Sequence, residues 1–313
     1  MNRIISAVVT ASALIFGVFL PGQEAVAQIP KELVGTWTMV SITLEKDGKK
    51  IDLFGPNPQG RRIIDADGHV FYIVTSGDLP KFASNNRAAG TPEENKAVVQ
   101  GSISYFGTVT ADEADKTYTQ HIEVCSFPNW IGTDHKSTYT INGDELIATT
   151  SGSSVGEGTV RVVYKRAEAA SSKKTPPTVG TWTMVSITLE KDGKQTDLFG
   201  PNPQGRLIRD ADGHVFYIAT RGDLPKFASN NRAAGTPEEN KAVVEGSISY
   251  FGTVTTNEAE KTSITHIEVC TYPNWVGIER KTSYTINGDE LISLGSGSSV
   301  GEGTAHVVYK RAK

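Results

Sequence analysis

The segment Thr117 to Cys125 reads T-Y-T-Q-H-I-E-V-C and carries a histidine, a carboxylate and a thiol at alternate positions. On an extended strand, side chains two apart share a face, so His121, Glu123 and Cys125 line one side and Ile122 and Val124 the other. His121 and Glu123 then lie roughly 6.6 Å apart along the strand, close enough for one to orient or protonate the other in acid–base chemistry. Cys125 lies roughly 13 Å from His121, which excludes a thiolate–imidazole dyad within the strand. As a metal set, His-x-Glu-x-Cys lacks an identifiable fourth partner, so no metal or other cofactor is assigned. The same three residues recur as His266, Glu268 and Cys270.

Two orientations of this strand compete. If Ile122 and Val124 point inward, His121 and Glu123 are solvated outer residues. If His121 and Glu123 point inward, they form a polar spot inside a cavity. Between the two occurrences, the Ile122 face changes at two positions, Tyr118 to Ser263 and Gln120 to Thr265. The His121 face changes only from Thr119 to Ile264. That tolerance tilts the reading toward an inward His121.

The recurrence belongs to a repeat of whole domains. Val34 to Arg166 aligns without a gap on Val179 to Arg311, with 107 identities in 133 positions. A period this long implies two domains with separate cores rather than a solenoid. Between them, Ala167 to Thr178 has the small, charged and proline-ended composition of a linker. The chain thus divides into 1–27, a first domain over 28–166, the linker over 167–178, and a second domain over 179–313.

Residues 1–27 carry the marks of an export signal: Arg3, an apolar stretch from Ile4 to Leu20, and Ala25-Val26-Ala27 before a mature start at Gln28. No cysteine follows for lipid attachment, and the expected compartment is the bacterial periplasm or the exterior. No membrane span is expected after cleavage. The net charge of -4, with both signs interspersed, argues against a nucleic-acid partner. Two cysteines cannot staple a disulfide-dense scaffold.

Within each repeat, β-branched segments alternate with turn signals. Asp47-Gly48, Asp67-Gly68 and Asn142-Gly143-Asp144 each separate two such segments as hairpin turns. Eight or nine strands at near-regular spacing predict a meandering antiparallel barrel or sandwich. One short helix is predicted after Thr91, where an N-cap, Pro92 and a capping-box Glu94 follow in order, with Gly101 as its stop. Before it runs the long loop Gly77 to Gly90. From Gly77 to Thr110 the copies differ only at Gln100, which is Glu245 in the second. That sameness suggests a loop and helix held across a ligand mouth. In it Lys81 and Arg87, with Lys226 and Arg232, are cations available to a ligand, and Arg87 has the fork to pair with a carboxylate. An arginine tying down its own loop is the other reading.

The ends of the strands carry a resemblance. Gly35-Thr36-Trp37 opens the first strand and Tyr164-Lys165-Arg166 closes the last; Gly180-Thr181-Trp182 and Tyr309-Lys310-Arg311 repeat this. Together with "DLPKFASNNRAAGTPEENKAVV", "HIEV" and "FPNW", each repeat resembles the bacterial lipocalin-like domain family over nearly its full length. The usual lipocalin Thr-Asp-Tyr motif is absent, and the helix sits mid-chain rather than late. The resemblance implies an all-β fold of two tandem calycin-like barrels, about eight strands each. In it Trp37 packs on Arg166, and Trp182 on Arg311, to close the barrel floors.

It implies ligand binding by analogy only. The expected function is an exported carrier of a small hydrophobic or amphipathic molecule in each cavity, with Trp130 and Trp275 at the mouths. The alternative is an isomerase or cyclase acting on an apolar substrate, with His121–Glu123 and His266–Glu268 as acid–base pairs. A filled, structural barrel is a third class, separated from both by cavity volume. No nucleophile elbow, zinc helix or phosphate loop is present. Cys125 and Cys270 are equivalent positions: a bridge between them requires the domains to meet near those strands about a pseudo-two-fold axis, and buried free thiols are the other reading.

Overall fold

The computed structural model describes residues 29–168 and 175–312. The expected leader over 1–27 and the centre of the linker lie outside the described residues. The first repeat runs β1 (Gly35–Lys46), β2 (Lys49–Asp52), β3 (Gln59–Ile64), β4 (His69–Thr75), α1 (Pro92–Gly101), β5 (Ser102–Asp112), β6 (Thr117–Cys125), β7 (Asp134–Asn142), β8 (Glu145–Ser153) and β9 (Gly156–Arg166). The second repeats it as β10 (Gly180–Lys191), β11 (Lys194–Asp197), β12 (Gln204–Arg209), β13 (His214–Thr220), α2 (Pro237–Gly246), β14 (Ser247–Asn257), β15 (Thr262–Cys270), β16 (Glu279–Asn287), β17 (Glu290–Ser298) and β18 (Gly301–Arg311).

All neighbours are antiparallel, and β9 returns to β1, as β18 does to β10, so each repeat closes an eight-stranded barrel. The short β2 and β11 pair only with the far ends of β1 and β10, outside the ring. Closure removes the exposed sheet edges that would otherwise invite pairing with other chains. Asp47 and Gly48 both hold positive φ, the geometry of the two-residue hairpin turn their sequence predicts. At the floor, Arg166 lies 4.1 Å above the Trp37 ring and donates to the Val34 and Glu32 carbonyls; Arg311 covers Trp182 at the same distance. The helix begins as its capping box dictates: Thr91 accepts from the Glu94 N–H, and Glu94 accepts from the Thr91 N–H. No helix among the described residues is long and apolar enough to cross a membrane.

The barrels pack on each other about a pseudo-two-fold axis. A buried apolar cluster joins Ile63, Phe71, Ile73, Phe106 and Val124 to their five copies, all on outer faces of the barrel walls. Phe71 and Phe216 meet at its centre. Around them, Arg61 pairs with Glu268 at 2.9 Å and Arg206 with Glu123 at 3.0 Å, while Ser104 and Ser249 share a hydrogen bond. The helices α1 and α2 pack against one another beside this seam.

Candidate functional site

The wall strands aim alternate side chains into each barrel. On β6 these are Tyr118, Gln120 and Ile122, which line a cavity of about 80 Å³ together with Arg62, Tyr72, Tyr105, Trp130, His135 and aliphatic residues. His121 therefore points outward, against the expectation that it faces the cavity. Its imidazole is half exposed and hydrogen-bonds Asp134 at 2.7 Å. Glu123 sits at a bulge, where Phe106 pairs with Val124 but Gly107 with Ile122. The bulge resets the alternation, turning Val124 to the inter-barrel cluster and Cys125 into the barrel. Gly107 permits it, because a Cβ there would collide with the His121 carbonyl.

Cys125 thus leaves the face it would share with His121 and Glu123, and those two both lie outside the barrel. The second repeat repeats the outcome: His266 is exposed and Glu268 is held by Arg61. With neither pair in a cavity, the acid–base alternative loses its catalytic groups. Cys125 and Cys270 are free, each buried in its own barrel, so of the two readings the free thiols hold. Burial pushes both thiols up to about 12, which leaves them protonated and poor nucleophiles at neutral pH.

The loop that precedes each helix does not cover its own barrel. Arg87 is buried, and its guanidinium donates to the Val244 and Ser247 carbonyls and the Ser299 hydroxyl of the opposite repeat. Arg232 reciprocates with the carbonyls of Val99, Gln100 and Ser102 and the Ser154 hydroxyl. In each, Nη1 is spent on main-chain carbonyls and Nε on a serine hydroxyl of the opposite repeat rather than on a ligand carboxylate. Phe82 packs on Tyr272, its N–H donates to Asn274, and Asn129 accepts from Phe227 in the same way. Each loop is thus a clasp on the other barrel. Lys81 and Lys226 stay on the exposed surface and line neither cavity. Because Ser154 and Ser299 also belong to the cavity walls, the clasps buttress both mouths.

The cavity residue that sequence reasoning missed is Arg62. It is 1% exposed, donates to the Tyr118 hydroxyl at 2.6 Å and to Gln120 Oε1 at 3.0 Å, and lies over the Tyr118 ring. Its Nε has no partner among the described residues. Gln120 Oε1 also accepts from the Tyr105 hydroxyl, which leaves the amide NH₂ as a further donor on the wall. Burial raises Tyr72 and Tyr105 well beyond the usual phenol range, so they remain neutral. Near the mouth, the His135 ring lies tilted against Trp130 with centroids 4.6 Å apart, and burial lowers its pKa, leaving it uncharged at neutral pH.

The second cavity, also about 80 Å³, is built differently. In the sequence Leu207 stands for Arg62, Ser263 for Tyr118 and Arg280 for His135, and of these three Arg280 lines the second cavity. Arg280 covers the Trp275 ring at 3.9 Å and donates to the Gly297 carbonyl. A second arginine, Arg209, lies two residues beyond Leu207 on the same strand face and donates to Ser263. A signal for this existed in the sequence, since Arg62/Ile64 reads Leu207/Arg209 in the other copy.

Two closed antiparallel barrels, each with a cavity of mixed polarity, define a tandem lipocalin-like fold. The lipocalin-like domain family matches residues 34–169 and again 179–311, and the chain belongs to that family. No curated protein matches it in sequence. Among solved structures, it is similar to a protein of unknown function from Nostoc punctiforme, at 9% identity and a TM-score of 0.23, over 90% of this chain and 97% of that one. It is also similar to transferrin binding protein B of Neisseria meningitidis, at 10% identity and 0.24, over 84% of this chain and 53% of that one. Likenesses this weak carry no implication for ligand or partner.

Proposed function

We propose that the protein is an exported binding protein whose two barrels each hold a small, partly apolar molecule. The observation that carries this is the unfilled interior of closed barrels. Each cavity of about 80 Å³ is walled by aromatic and aliphatic side chains, with a few polar groups converging on it. That space is room for roughly five to eight water-sized units, which favours a compact ligand over a long acyl chain. The leader-like residues 1–27 support export to the periplasm or beyond.

Native mass spectrometry of protein purified from its own envelope tests the reading. A small-molecule adduct of constant mass, displaced by a neutral apolar dye, is the expected result. A bare mass in repeated preparations, together with no uptake of such a dye, would overturn it.

A further inference from the structure

The charges buried in this molecule have one sign. Among the described residues, the buried charged side chains are Arg62, Arg87, Arg209, Arg232 and His214, and no aspartate or glutamate is itself buried. Arg87 and Arg232 are neutralised by the oriented carbonyls of the clasps. His214 has Asp210 at 2.7 Å. Arg62 has neither. The titratable groups facing it are Tyr72, Tyr105, Tyr118 and Tyr164, all of them phenols on the barrel wall. A guanidinium out of water and without a counter-charge is costly, and its unpartnered Nε leaves part of the donor fork unused. It borders open space rather than packed atoms.

We propose that the first barrel takes a compact, apolar monocarboxylate, its head set against Arg62 beside Gln120 and Tyr118 and its body among Ile42, Ile122 and Trp130. This rests on the reading of the barrels as ligand-holding cavities. A carboxylate supplies what the site lacks: one negative charge, and two acceptor oxygens in a plane that suits a guanidinium. The phenol hydroxyls can donate to it but cannot replace its charge. Because His135 is neutral at the mouth of this barrel, Arg62 is the charged group lining its cavity; in the second cavity the lining arginine is Arg280, held over Trp275 and by the Gly297 carbonyl. The second barrel has Leu207 at the equivalent position. Leucine there is accommodated by the same fold, which makes Arg62→Leu a substitution the barrel should tolerate.

The test compares phenylacetate with its neutral isostere phenylacetamide on the full mature chain, counting bound molecules by native mass spectrometry and titrating by calorimetry. The acid is expected to bind one site about ten- to a hundred-fold more tightly than the amide. Arg62→Leu, checked for folding by circular dichroism, is expected to erase that preference and remove one bound acid. Arg62-independent evidence comes from phenylacetate labelled with ¹³C at the carboxyl group, whose bound form should stay ionised to lower pH than the free acid. Equal binding of acid and amide, a preference that survives Arg62→Leu, or an unshifted carboxyl titration overturns the proposal and leaves the cavity reading standing. Uptake of a neutral dye but of neither phenyl compound does the same. If the dye also fails to enter, the cavity reading itself falls.

Discussion

The seam between the barrels and the space inside them have diverged at different rates. All ten residues of the inter-barrel cluster form identical pairs across the repeat, and the clasp loops are the same in both copies. Of the 20 residues lining the first cavity, seven differ in the second, although only 26 of 133 aligned positions differ overall. The changes in the interior also move charge: Arg62 at mid-depth in one barrel, Arg280 near the mouth and Arg209 toward the floor in the other. A seam built on a pseudo-two-fold axis constrains both copies at once, because each residue meets its own counterpart. A cavity wall faces only its own cavity.

The comparison can be broken most directly by separating the halves. The first repeat alone, residues 28–168, has a surface complementary to itself: Phe71 would meet Phe71, and Arg61 would meet Glu123. It is expected to run as a dimer by light scattering, with no folded monomer, and a stable monomer would deny the seam its role. A smaller contrast sets one substitution in a clasp against one in a wall. Arg87→Met strands the Val244 and Ser247 carbonyls and should cost about 3–5 kcal/mol in urea unfolding, with Arg87→Lys failing to restore the fork. Val160→Ala, which installs the residue of the second copy, should cost only about 1–1.5 kcal/mol.

The smallest effect is electrostatic and lies at the seam. His69 is raised by its hydrogen bond to Asp65; His214, opposed by burial, is raised by Asp210. These ion pairs stabilise fully below the ordinary histidine value of 6.5, and their contribution is lost as pH rises through the higher folded value. Unfolding free energy should therefore decline from pH 6 upward, by less than about 1 kcal/mol per pair, and His69→Asn with His214→Asn should flatten the decline. A slope that persists in the double variant would place its origin elsewhere.

Much of the fold was legible because its signals are local. The turn pairs, the capping box of Thr91 and Glu94, and the Trp37–Arg166 floor each depend on a few neighbouring residues, and the repeat announces two barrels. The orientation of β6 was not legible, because simple alternation assumes an unbroken ladder. The bulge at Glu123 depends on Gly107 across the strand pair, and nothing within T-Y-T-Q-H-I-E-V-C reports it. The sameness of Gly77 to Thr110 was visible, but its cause was not: those residues answer to the other barrel, not to a ligand. Arg62 was hidden as one cation in the run Arg61-Arg62, of which one faces the partner barrel and the other the cavity.

The linker has a genetic consequence. In a homodimer assembled from one short gene, any mutation that moves an arginine inside one pocket appears in both pockets simultaneously. Joining the copies in a single reading frame ends that obligation: one half can keep an ancestral specificity while the other explores a new one, with the assembly preserved throughout. The pair Arg62/Leu207 is what such freedom leaves behind, a difference no symmetric oligomer of this domain could have recorded.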